Sequence, residues 1–311
     1  MAAIDLGSSQ HEVVMRVYVI GSEGQVARSL REAALGHPDV TVGSSARPGV
    51  DLLDPASVAT AISTFRPDVV INPAAYTAVD KAEDEPERAF AINRDGAETV
   101  ARVAKSLELP IIHLSIDYVF DGKKNTAYLE TDDANPQGVY GKSKLDGEIA
   151  VAQANPRHVI LRTSWVYAPF GNNFVRTMLR LAGERDRIRV VNDQKGCPTY
   201  APDIAEAVIS ISKKVVHWRD EYSGVTHLAG PEAMTWYEFA REIFRRSAGR
   251  GGPSAGVDPI TTAEYPTRAA RPANSQLSTQ RLRTLFEVEL PSTDASLANC
   301  LERVLAKGGT Q

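Results

Sequence analysis

Short runs rich in β-branched residues alternate with amphipathic stretches through the first half of the chain, and this alternation constrains the fold most tightly. Arg16–Ile20 reads RVYVI and stops at Gly21, as a buried strand does. A helix is expected over Val26–Ala34, a second strand over Val40–Val42, and a helix over Pro55–Phe65, where Val58, Ala61, Ile62 and Phe65 recur at helical spacing. Asp68–Asn72 is a third strand, and Glu87–Leu107 reads as one long helix. Pro110–Leu114 is a strand, Tyr140–Ala152 a helix and His158–Arg162 a strand. Strands separated by helices pair in parallel, and helices then cover both faces of the sheet. The fold class is α/β, a doubly wound parallel sheet.

Beyond residue 165 the alternation loosens. Helices are expected over Asn173–Arg185, Pro202–Lys213, Thr235–Arg246 and Ser292–Ala306, with a turn-rich break at Gly249–Pro253. The domain reading is a cofactor-binding unit over 15–165, to which roughly 190–225 returns, and a smaller mixed substrate domain over 166–311. Residues 1–14 carry Asp5 and Glu12, lack a basic start before an apolar block, and read as a mobile extension rather than a secretory signal. The net charge of −4 and the lack of a basic tract argue against nucleic acid as partner. No apolar stretch reaches the roughly 20 residues of a membrane helix, so no membrane partner is expected. Two distant cysteines, Cys197 and Cys300, form neither a disulfide framework nor a zinc pattern and fit a cytoplasmic protein.

Gly21-Ser-Glu-Gly-Gln-Val-Ala27 follows the first strand and opens a helix, the context of a Rossmann-type dinucleotide site. Gly21 permits a tight turn, Gly24 lets backbone approach a diphosphate, and Ala27 stands where the third glycine is commonest. An ordinary strand–helix turn is the plain alternative. After the second strand comes Gly43-Ser-Ser-Ala-Arg47, with no acid to hold a ribose 2′-hydroxyl. Arg47 suits a 2′-phosphate, because guanidinium pairs well with phosphate oxygens. The expected cofactor is NADPH, with NADH second; a solvated Arg47 is the alternative.

Tyr140 and Lys144 stand four apart at a helix start and so share a face. A free phenol has a pKa near 10, and a nearby ammonium favours its phenolate. Lys144 can supply that charge and also bond ribose hydroxyls, while Tyr140 gives a proton to a carbonyl oxygen that receives hydride.

The glycine loop together with YxxxK resembles the extended short-chain dehydrogenase/reductases. Asn72–Glu83 (NPAAYTAVDKAE), Asp117–Gly122 (DYVFDG), Val139–Leu145 (VYGKSKL), Arg162–Tyr167 (RTSWVY), Asn192–Thr199 (NDQKGCPT) and Arg271–Ser275 (RPANS) narrow the resemblance. In that order they resemble the dTDP-4-dehydrorhamnose reductase family from about Met15 to about Leu305. The resemblance implies a reduction of dTDP-4-dehydro-β-L-rhamnose by NADPH or NADH, the last step of dTDP-L-rhamnose synthesis. It makes Tyr140 the proton donor and Lys144 its tuner. It puts Gly21, Glu23, Gly24, Gln25 and Val26 round the diphosphate, Asp51 and Leu52 by the adenine, and Ala74, Ala75 and Thr77 near the cofactor. Tyr118, Trp165 and Asn173 would face the sugar, and Arg271 and Asn274 the nucleotide side of the substrate. The alternative for Tyr118 and Trp165 is core packing, and for Arg271 a surface ion pair.

One departure stands out. The family usually carries a hydroxyl residue just before Asp-Tyr-Val-Phe, and this chain has Ile116. Ser115 is adjacent and is the candidate third catalytic residue, if a twist at the strand end brings it round, since strand neighbours otherwise point to opposite faces. Some family members are reported to dimerise through a magnesium site made by glutamates; Ser29 stands where the first would be, so no metal is expected, and the assembly is a monomer or homodimer. Two other readings remain: an NADP-binding regulatory subunit without turnover, motivated by Ile116, and another sugar-nucleotide reductase or epimerase of the superfamily.

Overall fold

The computed structural model describes residues 14–308; of the expected extension over 1–14, only Val14 falls among them. The strands are β1 (Met15–Ile20), β2 (Val40–Ser45), β3 (Val69–Asn72), β4 (Ile111–Ile116), β5 (His158–Thr163) and β6 (Val166–Tyr167). They continue with β7 (Arg187–Val191), β8 (Lys195–Gly196), β9 (Thr199–Tyr200), β10 (Gly224–His227), β11 (Met234–Thr235) and β12 (Gly256–Ile260). The helices are α1 (Gln25–Ala33), α2 (Pro55–Phe65), α3 (Val79–Ala82), α4 (Pro86–Phe90), α5 (Ala97–Ser106) and α6 (Val139–Ala154). After them come α7 (Phe174–Ala182), α8 (Ala201–Val215), α9 (Trp236–Ala248), α10 (Gln280–Phe286) and α11 (Thr293–Gly308).

Six strands form the central sheet in the order β10-β5-β4-β3-β1-β2, all parallel. This is the Rossmann-type α/β fold that the alternation implied. The chain leaves β1 for β2 on one side and returns to β3 on the other. The strand order therefore reverses between β1 and β3, and the crevice at their C-terminal ends is where such sheets take ligands.

Adjacent residues of β1 feed opposite layers, as the period of 2 requires. Val17 and Val19 pack with Leu30, Ile71, Leu161, Ile204 and Val208 on the side of α1 and α8. Tyr18 and Ile20 pack with Val58, Ile62, Val70, Val100 and Ile111 on the side of α2, α5 and α6. Each such side chain contributes roughly 1.5–3 kcal/mol by leaving water. A separate apolar cluster of Val175, Leu179, Ile188, Phe239, Ile243 and Leu301 joins α7, α9, α11 and β7, and β12 pairs with β7.

Two elements differ from expectation. The second strand runs on to Ser45 rather than ending at Val42, because Gly43 pairs with Tyr18 and its missing side chain leaves room for the Phe65 ring. The long helix over Glu87–Leu107 is interrupted. A π turn over Ala91–Gly96 separates α4 from α5, and it turns the Asn93 side chain inward where it is buried.

Candidate active site

The glycine loop sits at the end of β1. Gly21 holds φ at +102°, a conformation that favours glycine, and its N–H donates to the Ser45 carbonyl at 2.7 Å. Gly24 caps α1 without any side-chain hydrogen bond, and a Cβ placed on it would meet nothing within 4 Å. The start of α1 thus carries its partial positive charge with no side chain of residue 24 over it, a seat that fits a diphosphate. Glu23 is exposed and lies 3.9 Å from Arg31. Val26 packs into the core, and Gln25 accepts a bond from Asn173 at 2.9 Å.

The other expected cofactor residues lie beyond the same strand ends. Arg47 is exposed two residues after β2 and makes no ion pair among the described residues. Asp51 accepts from the Leu53 N–H at 3.0 Å, and Leu52 packs against Gly96. Ala74, half-buried like Ala75, lies against Gly21, and Thr77 is exposed. Arg47, Asp51 and Leu52 follow β2, and Ala74, Ala75 and Thr77 follow β3, the strands that flank β1.

The second half of the site hangs on the start of α6. Glu83 accepts the Val139 N–H at 2.8 Å and so caps the helix from another segment. Two glycines let α6 approach its neighbours. A Cβ on Gly141 would collide with the Tyr118 carbonyl, and one on Gly147 with the Asn93 carbonyl. Asn93 accepts from the Tyr76 N–H at 2.8 Å and donates to the Ser143 hydroxyl at 2.9 Å, while Ser143 donates to the Tyr140 carbonyl at 2.8 Å. Tyr140 is thereby fixed to the segment that leaves β3.

Tyr140 and Lys144 are both buried on the inward face of α6. Lys144 Nζ donates to the Leu114 carbonyl at 2.7 Å and lies 3.5 Å from His113 Nε2. Burial lowers its pKa to about 8, with Glu148 pulling the other way. Tyr140 behaves otherwise than the spacing suggested. Burial, with the charges of Asp117 and Tyr118, raises its pKa above the ordinary phenol range. It is a phenol that keeps its proton, as a donor must.

The Tyr118 ring meets Tyr140 edge-on with centroids 6.4 Å apart, and the Arg271 guanidinium lies 6.0 Å over Tyr118. Arg271 also pairs with Asp80 at 2.8 Å, and Asp80 accepts the Ala269 N–H at 3.1 Å. The segment around Ala269–Pro272 so covers Tyr140, and the cavity beneath it, lined by Tyr118, Tyr140, Gly141 and Ala269, is about 10 Å³.

Some expected site residues are engaged with other parts of the protein. Ser115 donates to Glu148 at 2.5 Å, and Glu148 is gripped by Arg162 at 2.9 and 2.7 Å, all three buried. That hydroxyl serves a buried ion pair, and it is Ile116 that packs into the apolar cluster with Tyr140. Asn173 spends its side chain on capping α7 and on the Gln25 side chain and the Ala168 carbonyl. Asn274 donates to the carbonyls of Lys124 and Thr126 at 2.6 and 2.9 Å and holds that loop. Trp165 stacks on Trp236 with centroids 3.4 Å apart, and its φ of +46° is a strained conformation for a bulky residue. Sequence reasoning missed Glu83, Asn93, His113 and Asp117. Asp117 is buried beside Tyr118 and pushed up to about 6 by burial, although Ser275 and Ser164 bond to it.

The family whose sequence model is described as the RmlD substrate binding domain matches residues 15–306. The chain belongs to this family. It is 46% identical over 295 residues to the dTDP-4-dehydrorhamnose reductase of Sinorhizobium fredii, covering 94% of this chain and 99% of that one. A crystal structure of a dTDP-4-dehydrorhamnose reductase from Clostridium acetobutylicum superposes with a TM-score of 0.85 at 36% identity, covering 94% of this chain and all of that chain. The reductase of Bacillus anthracis, solved in complex with NADP, gives 0.83 at 34% identity over 94% of this chain and 99% of that one. The chain is an enzyme, an oxidoreductase of this family. No described helix is long and apolar enough to cross a membrane.

Proposed function

We propose that this enzyme reduces the 4-keto group of dTDP-4-dehydro-β-L-rhamnose to give dTDP-β-L-rhamnose, the last step of dTDP-L-rhamnose synthesis, in the cytoplasm and as a monomer or homodimer. The observation that carries the reading is the pair of Tyr140 and Lys144, buried together on α6 beside Asp117 and Tyr118. The nicotinamide cofactor supplies hydride when bound. Tyr140 holds the proton that goes to the reacting oxygen, and Lys144 supplies positive charge beside it. Gly21 to Val26 seat the diphosphate, with Asp51, Leu52, Ala74, Ala75 and Thr77 along the rest of the dinucleotide. Tyr118 and Trp165 face the sugar, and Arg271 exchanges Asp80 for the nucleotide side of the substrate. Asn173 and Asn274 act from behind, by fixing the loops that carry these contacts.

NADPH is the preferred reductant and NADH the second. Arg47, exposed beyond Ser44 and Ser45 at the end of β2, is available to a 2′-phosphate. Residues 15–165, joined by parts of 190–225, hold the cofactor, and most of 166–311 holds the substrate.

Purified protein given the 4-keto dTDP sugar oxidises NADPH, and Tyr140→Phe lowers that rate by about 10²–10⁴-fold. Equal rates for the two proteins would end the reading. The apolar Ile116 against Tyr140 favours one competitor, an NADP-binding module without turnover. It predicts tight NADPH binding by calorimetry and no oxidation with any 4-keto sugar nucleotide.

A further inference from the structure

His113 is a fully buried titratable group to which the reductase reading gives no task. It stands on β4 between Asn72 on β3 and Lys144 on α6. Asn72 Oδ1 accepts the Ala74 N–H at 3.2 Å, which turns the Asn72 amide nitrogen toward His113 Nδ1, also at 3.2 Å. An amide nitrogen only donates, so Nδ1 accepts and the ring proton sits on Nε2. Burial keeps the ring neutral, and the charge on Lys144 opposes its protonation further. The Nε2–H therefore points at Lys144 Nζ, 3.5 Å away. An ammonium has no lone pair to receive it. With Nε2 protonated, neither group can accept from the other across that 3.5 Å, and the Leu114 carbonyl takes one of the three ammonium N–H groups.

We propose that His113 is a positioning residue of the reaction: held by Asn72, it presents Nε2–H to Lys144, and so sets both the direction of the ammonium and the pH above which that ammonium is lost. The relay runs from the Ala74 backbone, in the segment assigned to the cofactor, through two buried side chains to the amine beside Tyr140. The ionisable groups that bear on Lys144 are Glu148 on α6, which Arg162 on β5 holds, and His113 on β4; Tyr140 stands one helical turn before it on α6, and Asp117 just after β4 acts on Tyr140. Glu148 favours the ammonium and burial disfavours it; on this proposal the N–H of His113, facing Nζ, disfavours it as well. Lys144 is lowered to about 8, so the charged form disappears, and the rate with it, as pH rises through that value.

The kinetic arm rests on the reductase reading, and a spectroscopic arm does not. In the full-length protein labelled with ¹⁵N, the His113 ring, assigned through its own backbone, shows the Nε2–H tautomer and does not titrate between about pH 5 and 9. Asn72→Asp, which offers only acceptor atoms, reverses the tautomer to Nδ1–H. His113→Gln gives Lys144 an amide oxygen to donate to, and the alkaline limb of kcat moves up by about 1 pH unit while KM for NADPH stays unchanged. A wild-type Nδ1–H tautomer, or an imidazolium forming in that range, overturns the proposal whether or not either variant folds. An unmoved alkaline limb in an active His113→Gln protein overturns it too. Absence of turnover in the wild type refutes the reductase reading alone, and the tautomer still decides the rest.

Discussion

Gly24→Ala asks whether the open start of α1 is there for the fold or for a ligand. The backbone at Gly24 has φ −63° and ψ 154°, which alanine adopts without strain, and the added Cβ meets nothing within 4 Å. Alanine in place of glycine narrows the unfolded ensemble and stabilises by about 0.4–1 kcal/mol. Alanine is also a poorer cap than glycine, at a cost of roughly the same size. The two effects offset, so the ligand-free protein keeps its stability within about 0.5 kcal/mol and its Tm within about 2 °C. Binding behaves differently. A diphosphate on the α1 amides must come to about 2.7–3.2 Å from the backbone, where the methyl now stands. Loss of one or two charge-assisted hydrogen bonds, each worth about 1.5–3 kcal/mol, raises Kd for NADPH by about tenfold to ten-thousandfold. Calorimetric titration with NADPH and a melt of the ligand-free protein measure the two quantities separately. An unchanged Kd, or a ligand-free protein that has lost several kcal/mol, refutes the reasoning.

Gly147→Ala drives a methyl into the Asn93 carbonyl; overpacking costs about 1–3 kcal/mol against a gain of about 1 kcal/mol in helix propensity, so chemical denaturation shows a small net loss while kcat falls more steeply, because α6 carries Tyr140. Stability and activity both equal to wild type would contradict that. Asp117→Asn changes the pH dependence of stability: the folded-state pKa is raised to about 6 from 3.8, so the carboxyl's stabilising form is present below its unfolded pKa and is lost as pH rises through about 6. At about 1.4 kcal/mol per pH unit, the variant is more stable than wild type at pH 8 by up to about 3 kcal/mol, and melts at lower pH show the gap closing below about pH 4. A gap that widens on acidification has the wrong sign for this account.

The sheet was legible because β-branched runs such as Arg16–Ile20 and His158–Arg162 carry their strand signal locally. Tyr140 and Lys144 were legible because four-residue spacing on a helix is geometry. The π turn was not, since apolar residues on both sides of it kept a helical rhythm. The one hint is Asn93, which follows the apolar Phe90-Ala-Ile92 run, and its meaning appears only with Gly147 against it. Nothing local in the sequence marks Glu148 and Arg162 as a pair. They are buried partners because β4 and β5 align Ser115 with Arg162 and bring both to α6, a register that no local pattern encodes. Asn173 and Asn274 were expected at the substrate, but an asparagine near a loop binds backbone as readily as a ligand.

Asp80 fastens the cover over Tyr140 through both the Arg271 side chain and the Ala269 backbone, and Asp80 itself belongs to the stretch that runs out of β3 past Ala74. On the proposed function, the sugar's doorway and the cofactor's floor are therefore cut from one piece of chain. On that reading a change that slackens this piece reaches both ligands at once, so cofactor affinity and sugar entry move together.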